Sequence, residues 1–360
     1  MKIRLEDLGW AEPFVSAFES LEMEGAAPAR VIWQGSFNYR VLGGFGEAEA
    51  EPAGKVKAGQ LPAVGDWVAI RIQPDGKRGV IGAILPRKSA FSRNAPGKAV
   101  KEQVVAANVD HVFVVTGLDR DFNLRRIERY LALVYSSGAS PVVVLSKADL
   151  VADPEEFVLK VQPVAPGVPV LTVSGITGTG IEHLKRFFPP GRTAAFLGSS
   201  GVGKSTLINL LLGARKQRVS DLRESVEKGR HTTVSRELFL LPGYGAVIDT
   251  PGMREIQVWG DREGLSEAFP EIEELSRSCR FRDCRHESEA HCAVRKALDS
   301  GDLDPERFEN FLKMRAEYES QERRSSVHAR AEERREGKRF SKMIREVERF
   351  NPKRKGKKNW

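Results

Sequence analysis

Apolar positions along this chain repeat with two different periods, and the change of period marks off its parts. From Ala29 to about Pro86 the apolar runs are short, alternate with period two and are broken by Gly, Pro and Asp. Trp67-Val-Ala-Ile-Arg-Ile72 is followed by the turn-like Pro74-Asp-Gly-Lys-Arg-Gly79 and then by Val80-Ile-Gly-Ala-Ile-Leu85. Strands at this spacing predict a small sheet or β-barrel, although alternation alone does not specify a barrel of OB type. From His111 to about Gly252 the signature changes. Short β-branched runs lie at His111–Thr116, Pro141–Leu145, Val168–Val173, Thr193–Leu197, Glu237–Leu241 and Ala246–Ile248. Helix-like stretches separate several of them, such as Leu124–Tyr135 with Ile127, Tyr130, Leu131 and Val134 at helical spacing. This alternation predicts an α/β domain with a largely parallel sheet, its ligand held by loops leaving the carboxyl ends of the strands. Residues 1 to about 28 read as a short extension with some helical periodicity. After about Asp261 come a cysteine cluster, long charged helical segments and the basic run Lys353-Arg-Lys-Gly-Lys-Lys358.

Length allows two or three domains in 360 residues. The net charge is +8, yet residues 321–360 hold 15 Lys and Arg against 6 Glu, so the basic character belongs to the tail. Such a tail suits a polyanion such as RNA, an anionic membrane surface, or plain solvation. The first 25 residues carry Glu6, Asp7, Glu12, Glu19, Glu22 and Glu24 with no continuous apolar stretch, unlike a signal peptide. No segment approaches the roughly 18 uninterrupted apolar residues of a bilayer span. A soluble, cytoplasmic protein without membrane association is expected.

The chemistry begins at Gly198, Ser199, Ser200, Gly201, Val202, Gly203, Lys204 and Ser205, which fit Gly-x4-Gly-Lys-Ser/Thr between a predicted strand and a predicted helix from Thr206 to Leu212. Glycines let backbone N–H groups curl around phosphate oxygens, the lysine reaches the β and γ phosphates, and the Ser205 hydroxyl ligates magnesium. The helix adds its N-terminal dipole. A nucleoside triphosphatase is implied. Two further segments choose the base. Ser146, Lys147, Ala148 and Asp149 end a strand where guanine readers place Asn/Thr-Lys-x-Asp, and a carboxylate at Asp149 accepts both the N1–H and the 2-amino protons of guanine. Adenine lacks that donor pair, which would leave the carboxylate unpaired. Val173-Ser174-Gly175, again at a strand end, fits the loop whose backbone N–H groups bond the guanine carbonyl.

Asp249-Thr-Pro-Gly252 fits the Asp-x-x-Gly segment that holds magnesium through water and senses the γ-phosphate. In Gly229-Arg-His-Thr-Thr233, either Thr232 or Thr233 could complete the magnesium shell. In a Ras-like chain the order is phosphate loop, switch threonine, Asp-x-x-Gly, base Asp, Ser loop; here the last two come first. Cutting the sheet after Asp-x-x-Gly and joining its old ends gives this order, and the site survives because strand ends, not chain order, position it. Met253 stands where many Ras-like enzymes carry the water-orienting Gln. His231 is the local alternative as a water-accepting imidazole, against the bland reading of an exposed loop histidine. With no glutamine there and no evident arginine finger, slow intrinsic turnover is expected, which a partner could raise by about 10³–10⁵.

Cys279-x4-Cys284-x-His286-x5-Cys292 gathers three thiolates and an imidazole within fourteen residues. That donor set suits a tetrahedral structural zinc with no position left for water. His291 competes with His286, although its adjacency to Cys292 makes joint ligation awkward.

With these motifs in this order, the chain resembles the circularly permuted GTPases of the RsgA (YjeQ, EngC) family, which act in small ribosomal subunit biogenesis. The likeness covers nearly the whole chain. It implies an N-terminal OB-fold, a permuted α/β P-loop GTPase domain and a C-terminal zinc-binding helical module, with the zinc on Cys279, Cys284, His286 and Cys292. Gln103-Val-Val-Ala-Ala-Asn-Val-Asp110 resembles the family's lead-in to the permuted domain. The expected divisions are 1–28 extension, 29–95 RNA-binding barrel, 96–260 GTPase, 261–320 zinc module and 321–360 basic helical tail. The resemblance also implies binding of the small ribosomal subunit and its rRNA, hydrolysis of GTP to GDP with magnesium, a monomer, and His231 as catalytic. Ser146 departs from the family's usual Asn and is expected to bond the phosphate loop less extensively, weakening base affinity. Two other readings remain at this point: a GTPase in another RNA process, or a nucleotide-gated RNA-binding module that scarcely hydrolyses GTP. A P-loop ATPase is disfavoured by Asp149.

Overall fold

Alternating burial bends the first five strands into a barrel. The computed structural model describes residues 4–35, 38–57, 59–94, 102–213, 236–241, 243–249, 261–287 and 289–324. Strands β1 (Ala27–Gln34), β2 (Tyr39–Gly43), β3 (Gly46–Pro52), β4 (Trp67–Ile72) and β5 (Arg78–Ile84) pair in the order β1-β2-β3-β5-β4, and β4 pairs back to β1. In β3, Ala48, Ala50 and Pro52 point inward while Glu47, Glu49 and Glu51 face water, the period-two pattern of a half-buried strand. Val31, Val41, Val68, Ile70 and Ile81 fill the interior. Pairing is antiparallel except between β3 and β5, which run parallel. Closure in that order, with one parallel pair, is the OB-fold.

Strands β6 (Ala90–Asn94) and β7 (Glu102–Ala107) form a separate antiparallel pair. This pair straddles the barrel–GTPase division expected at 95/96 and makes the crossing a connector. Then follow β8 (His111–Gly117), β9 (Ser140–Ser146), β10 (Val170–Thr172), β11 (Thr193–Leu197), β12 (Arg236–Leu240) and β13 (Ala246–Asp249). They lie in the order β10-β9-β8-β11-β13-β12, all parallel except β12. Both faces are covered, so β8 and β11 are buried almost throughout. β12 also pairs with β1 through Trp33 opposite Glu237 and Gln34 opposite Arg236, so barrel and α/β sheet are hydrogen-bonded into one sheet.

The N-terminal segment is more than a loose extension. Trp10 and Phe14 pack on Trp67 of the barrel, with ring centroids 4.7 and 6.0 Å apart, and Leu8 and Phe14 are fully buried. Arg30 of β1 is buried beneath them and donates to the carbonyls of Leu8, Gly65 (3.3 Å) and Asn108 (3.1 Å). Burial pulls its pKa down to about 10, which leaves it charged at neutral pH.

At the other end, helix Arg262–Ala268 packs on helix Leu124–Ser136, and helices Pro270–Arg277 and Ala293–Ser300, with the helical residues 305–324, join the same core. A Cβ on Gly264 would lie 2.1 Å from Ser136 Oγ and 2.5 Å from Ala132 O, so the two helices touch backbone to backbone. Glu128 and Arg307 are buried where the helices meet. Arg307 donates to Glu128 (2.9 Å), Glu271 (2.5 and 3.1 Å) and the carbonyls of Ala268 (3.0 Å) and Val164 (3.3 Å), while Asn310 donates to Glu128 at 2.6 Å. The C-terminal, cysteine-bearing helices and the α/β sheet therefore share one core.

Candidate nucleotide and zinc sites

The phosphate loop leaves β11, the strand between β8 and β13, at the carboxyl end of the sheet. Gly198 has φ 150°, and a Cβ there would lie 2.2 Å from the Val115 carbonyl, so the loop can begin only with glycine. Gly201 (φ 81°) and Gly203 (φ 94°) take left-handed turns. Val202 is buried beneath the loop, whereas Ser200, Gly201, Ser205 and Thr206 lie on its exposed face. Lys204 Nζ donates to Gly198 O at 2.6 Å and to Ser199 O, curled inside the loop. Helix Lys204–Leu212 follows directly, its N-terminus under the loop. A concave run of backbone N–H groups, an enclosed lysine and an exposed serine hydroxyl fit a magnesium–nucleotide phosphate chain.

The segments expected to read the base meet this loop from the ends of β9 and β10, two and three strands away from β11. Ser146, at the end of β9, donates its hydroxyl to Val202 O at 2.6 Å and to Thr116 O at 3.2 Å. A serine at this position thus still ties the base segment to the phosphate loop, although it lacks the second polar atom of Asn. Lys147 is held left-handed (φ 59°) with its ammonium 2.6 Å from Asp119. Ala148 N donates to Val173 O at 3.1 Å. Ser174 donates to the exposed Asp149 carboxylate at 2.5 Å and accepts from the N–H groups of Ile176 and Thr177, aligning the acid with the serine loop. A Cβ on Gly175 would sit 2.8 Å from Thr206 Cγ2, so that loop rests on the first turn of the phosphate-loop helix. Asp149 and Lys204, 55 positions apart and encoded in reversed order, therefore lie in segments that adjoin through Ser174, Gly175 and Thr206.

Asp249 ends β13; its neighbour Ile248 pairs with Ala195 of β11, which puts it at the same edge of the sheet as the phosphate loop. Gly252, His231, Thr232, Thr233, Met253 and residues 325–360 of the basic tail lie outside the described residues.

From β12 across, the sheet runs antiparallel edge strand, Asp249 strand, phosphate-loop strand, β8, base strand β9 and serine-loop strand β10. That is the arrangement of a Ras-like sheet, with the chain entering it at β8. Comparison with known proteins agrees. The RsgA GTPase family model matches residues 84–259. The small ribosomal subunit biogenesis GTPase RsgA of Opitutus terrae is 48% identical over 343 residues, covering 91% of this chain and 94% of that protein. This chain belongs to the RsgA GTPase family. The protein of the same name from Syntrophotalea carbinolica is 44% identical over 349 residues, covering 93% of this chain and 95% of that one. Among solved structures, YjeQ from Thermotoga maritima aligns with a TM-score of 0.62 at 27% identity, over 81% of this chain and 98% of that one. YloQ, a circularly permuted GTPase, aligns at 0.59 and 26%, over 83% and 97%. Family membership makes this chain a GTPase, using GTP with magnesium.

The zinc cluster is assembled from a helix end, a loop and a helix start. The ligand atoms of Cys279, Cys284, His286 and Cys292 all lie within 4.8 Å of one another. Cys279 Sγ is 3.8 Å from Cys292 Sγ and 3.7 Å from His286 Nδ1, which is 3.4 Å from Cys292 Sγ. A tetrahedron with bonds of about 2.3 Å to sulfur and about 2.0 Å to nitrogen has edges of about 3.5–3.8 Å, so these donors fit one zinc ion. Ser276 Oγ lies 3.1 Å from His286 Nε2 and turns Nδ1 towards the sulfurs. Burial lowers the His286 pKa, with Arg315 adding to it, and favours the neutral ring that a metal needs. Cys292 caps helix Ala293–Ser300, its Sγ accepting from Arg295 N at 3.5 Å, which fixes the sulfur at the helix start. His291 is exposed, whereas His286 is buried. Four protein donors leave no open position, and the zinc is structural.

Sequence reasoning missed two side-chain pairs around the nucleotide loop. Asp119 engages Lys147, and Arg126 engages Ser199. Each spans dozens of residues, and neither belongs to a motif. The only local signal was the position of segment 118–126 after β8, at the carboxyl edge where ligands bind.

Proposed function

We propose that this GTPase acts in late maturation of the small ribosomal subunit, binding the subunit through its rRNA and hydrolysing GTP to GDP and phosphate when the subunit completes its site. The observation that carries this reading is identity of 48% over nearly the full length to a relative named for that process. Five nucleotide segments in permuted order and an OB-type barrel support it. In this mechanism Lys204 and the N–H groups of Gly198 to Thr206 grip the phosphates. Ser205, Thr232 or Thr233, and Asp249 would hold magnesium, which would neutralise the phosphate charge. Asp149 reads guanine, with Lys147 and Ala148 flanking the ring and Ser174 and Gly175 bounding it. Gly252 follows the γ-phosphate, and His231 positions the attacking water.

The proposed divisions remain 1–28, 29–95, 96–260, 261–320 and 321–360, with residues 29–95 and the basic tail as RNA-binding parts. The reading makes the protein a cytoplasmic monomer; no helix among the described residues is long and apolar enough to cross a membrane. GTP turnover titrated with purified small subunits tests the function, with large subunits as the comparison. Stimulation by small subunits alone is expected; equal rates with and without them would refute the proposal.

A further inference from the structure

The first turn of helix Leu124–Ser136 carries two adjacent arginines with different partners. Arg125 donates to Glu128 (2.5 Å) and to Asp304 (2.5 Å), at the start of the C-terminal helix. Arg126 turns towards the nucleotide. Its Nη1 is 2.5 Å from Asp121 Oδ1 and donates to the hydroxyl of Ser199, the second residue of the phosphate loop. The turn is fixed at both levels: Asn123 caps it by accepting from Arg126 N at 3.0 Å, and Arg125 and Glu128 lock it to the zinc module. Ser199 matters because its carbonyl accepts from Lys204 Nζ.

We propose that Arg126 is a positioning residue for GTP binding: held by Asp121, it fixes Ser199 and so presets the phosphate loop. Arg126 meets the loop along one edge, leaving Ser200, Gly201 and Ser205 exposed for the ligand. Arg126 and Asp121 are one-third and one-quarter exposed, so solvent weakens the charge-assisted bond and its loss should matter modestly. The proposal rests on reading Gly198–Ser205 as the phosphate loop.

Fluorescent-GDP binding and GTP turnover would be measured on the zinc-loaded full chain for Arg126→Ala, Arg126→Lys, Ser199→Ala and Arg126→Ala/Ser199→Ala. Arg126→Ala should weaken nucleotide binding about tenfold, raising KM more than it lowers kcat, with Tm nearly unchanged. Because a single nitrogen reaches both Asp121 and Ser199, Arg126→Lys should restore most of the affinity. Ser199→Ala should weaken binding similarly, and the double variant should be no worse than either single one. Unaltered affinity in Arg126→Ala, additive losses in the double variant, or affinity loss in proportion to lost Tm would each overturn the proposal. Lys204→Ala serves as the control. If it still binds nucleotide, the phosphate-loop reading falls too; if it abolishes binding while Arg126→Ala changes nothing, only the role of Arg126 falls.

Discussion

Replacing Arg307 with Ala should loosen the zinc module from the GTPase sheet, and the size of the effect follows from what is left behind. Glu128 is completely buried and receives Arg307 at 2.9 Å, Arg125 at 2.5 Å and Asn310 at 2.6 Å. Removing one partner of a buried ion pair typically costs about 3–5 kcal/mol, because the other charge remains desolvated. Arg125 and Asn310 stay on Glu128, and Glu271 is partly exposed, so the lower end, about 3 kcal/mol, is expected. With about 2–4 °C per kcal/mol for domains of this size, Tm should fall by about 6–12 °C. The assay is calorimetry with urea unfolding of zinc-loaded protein, and hydrogen exchange over residues 305–324 should rise in parallel. Adding Glu128→Gln to Arg307→Ala removes the stranded charge and should recover part of the loss. A loss below about 1 kcal/mol, or a double variant as unstable as the summed single losses, would refute the reasoning.

Four other outcomes are expected. Asp149→Ala should weaken GTP binding about a hundredfold, two charge-assisted hydrogen bonds being removed, and abolish preference over ATP in a competition assay. Cys284→Ala should reduce bound zinc below one equivalent by elemental analysis; undiminished zinc would refute the ligand assignment. Deleting Asn351–Trp360 should flatten the salt dependence of RNA affinity by about 0.7–0.9 in log slope for each phosphate the tail had neutralised. Asp110 supplies a pH prediction. Burial opposes its charge, but Thr193 N–H (2.8 Å), Arg192 (2.8 Å) and Lys88 (3.5 Å) outweigh it and lower its pKa below the ordinary 3.8. Its native pKa being depressed, its contribution to stability is present above pH 3.8 and fades as the pH falls through the lower native value. Asp110→Asn should flatten that limb of an acid-unfolding curve.

Local chemistry was legible in the sequence and long-range pairing was not. The phosphate loop declares itself because its glycines answer to backbone angles within eight residues, and the strands Trp67–Ile72 and Thr193–Leu197 fall where the periodicity puts them. The OB topology came from the family resemblance and not from the strand pattern, because it depends on β3 lying parallel to β5, a pairing set by closure rather than by either strand's pattern. The aromatic residues Trp10 and Phe14 look like an amphipathic extension until Trp67 is found beneath them. Spacing left His286 and His291 in competition, and burial separates them. Ser146 was legible as a departure from Asn, but its reach to Val202 O depends on how closely the end of β9 approaches the phosphate loop.

The permuted order also explains how the barrel is attached. In this sheet the antiparallel edge strand is β12, whose outer side would present unpaired backbone groups to solvent, a liability for any edge. The chain begins its GTPase domain at β8, so the barrel precedes that domain, and β1 is free to swing across and pair with β12. Arg40 reinforces the junction, reaching Glu237 of β12 at 2.9 Å and Glu47 of the barrel at 3.0 Å. β12 follows the threonines at 232 and 233 by only a few residues. The barrel is thereby joined, by backbone hydrogen bonds, to the strand leading out of the segment that would complete the magnesium shell.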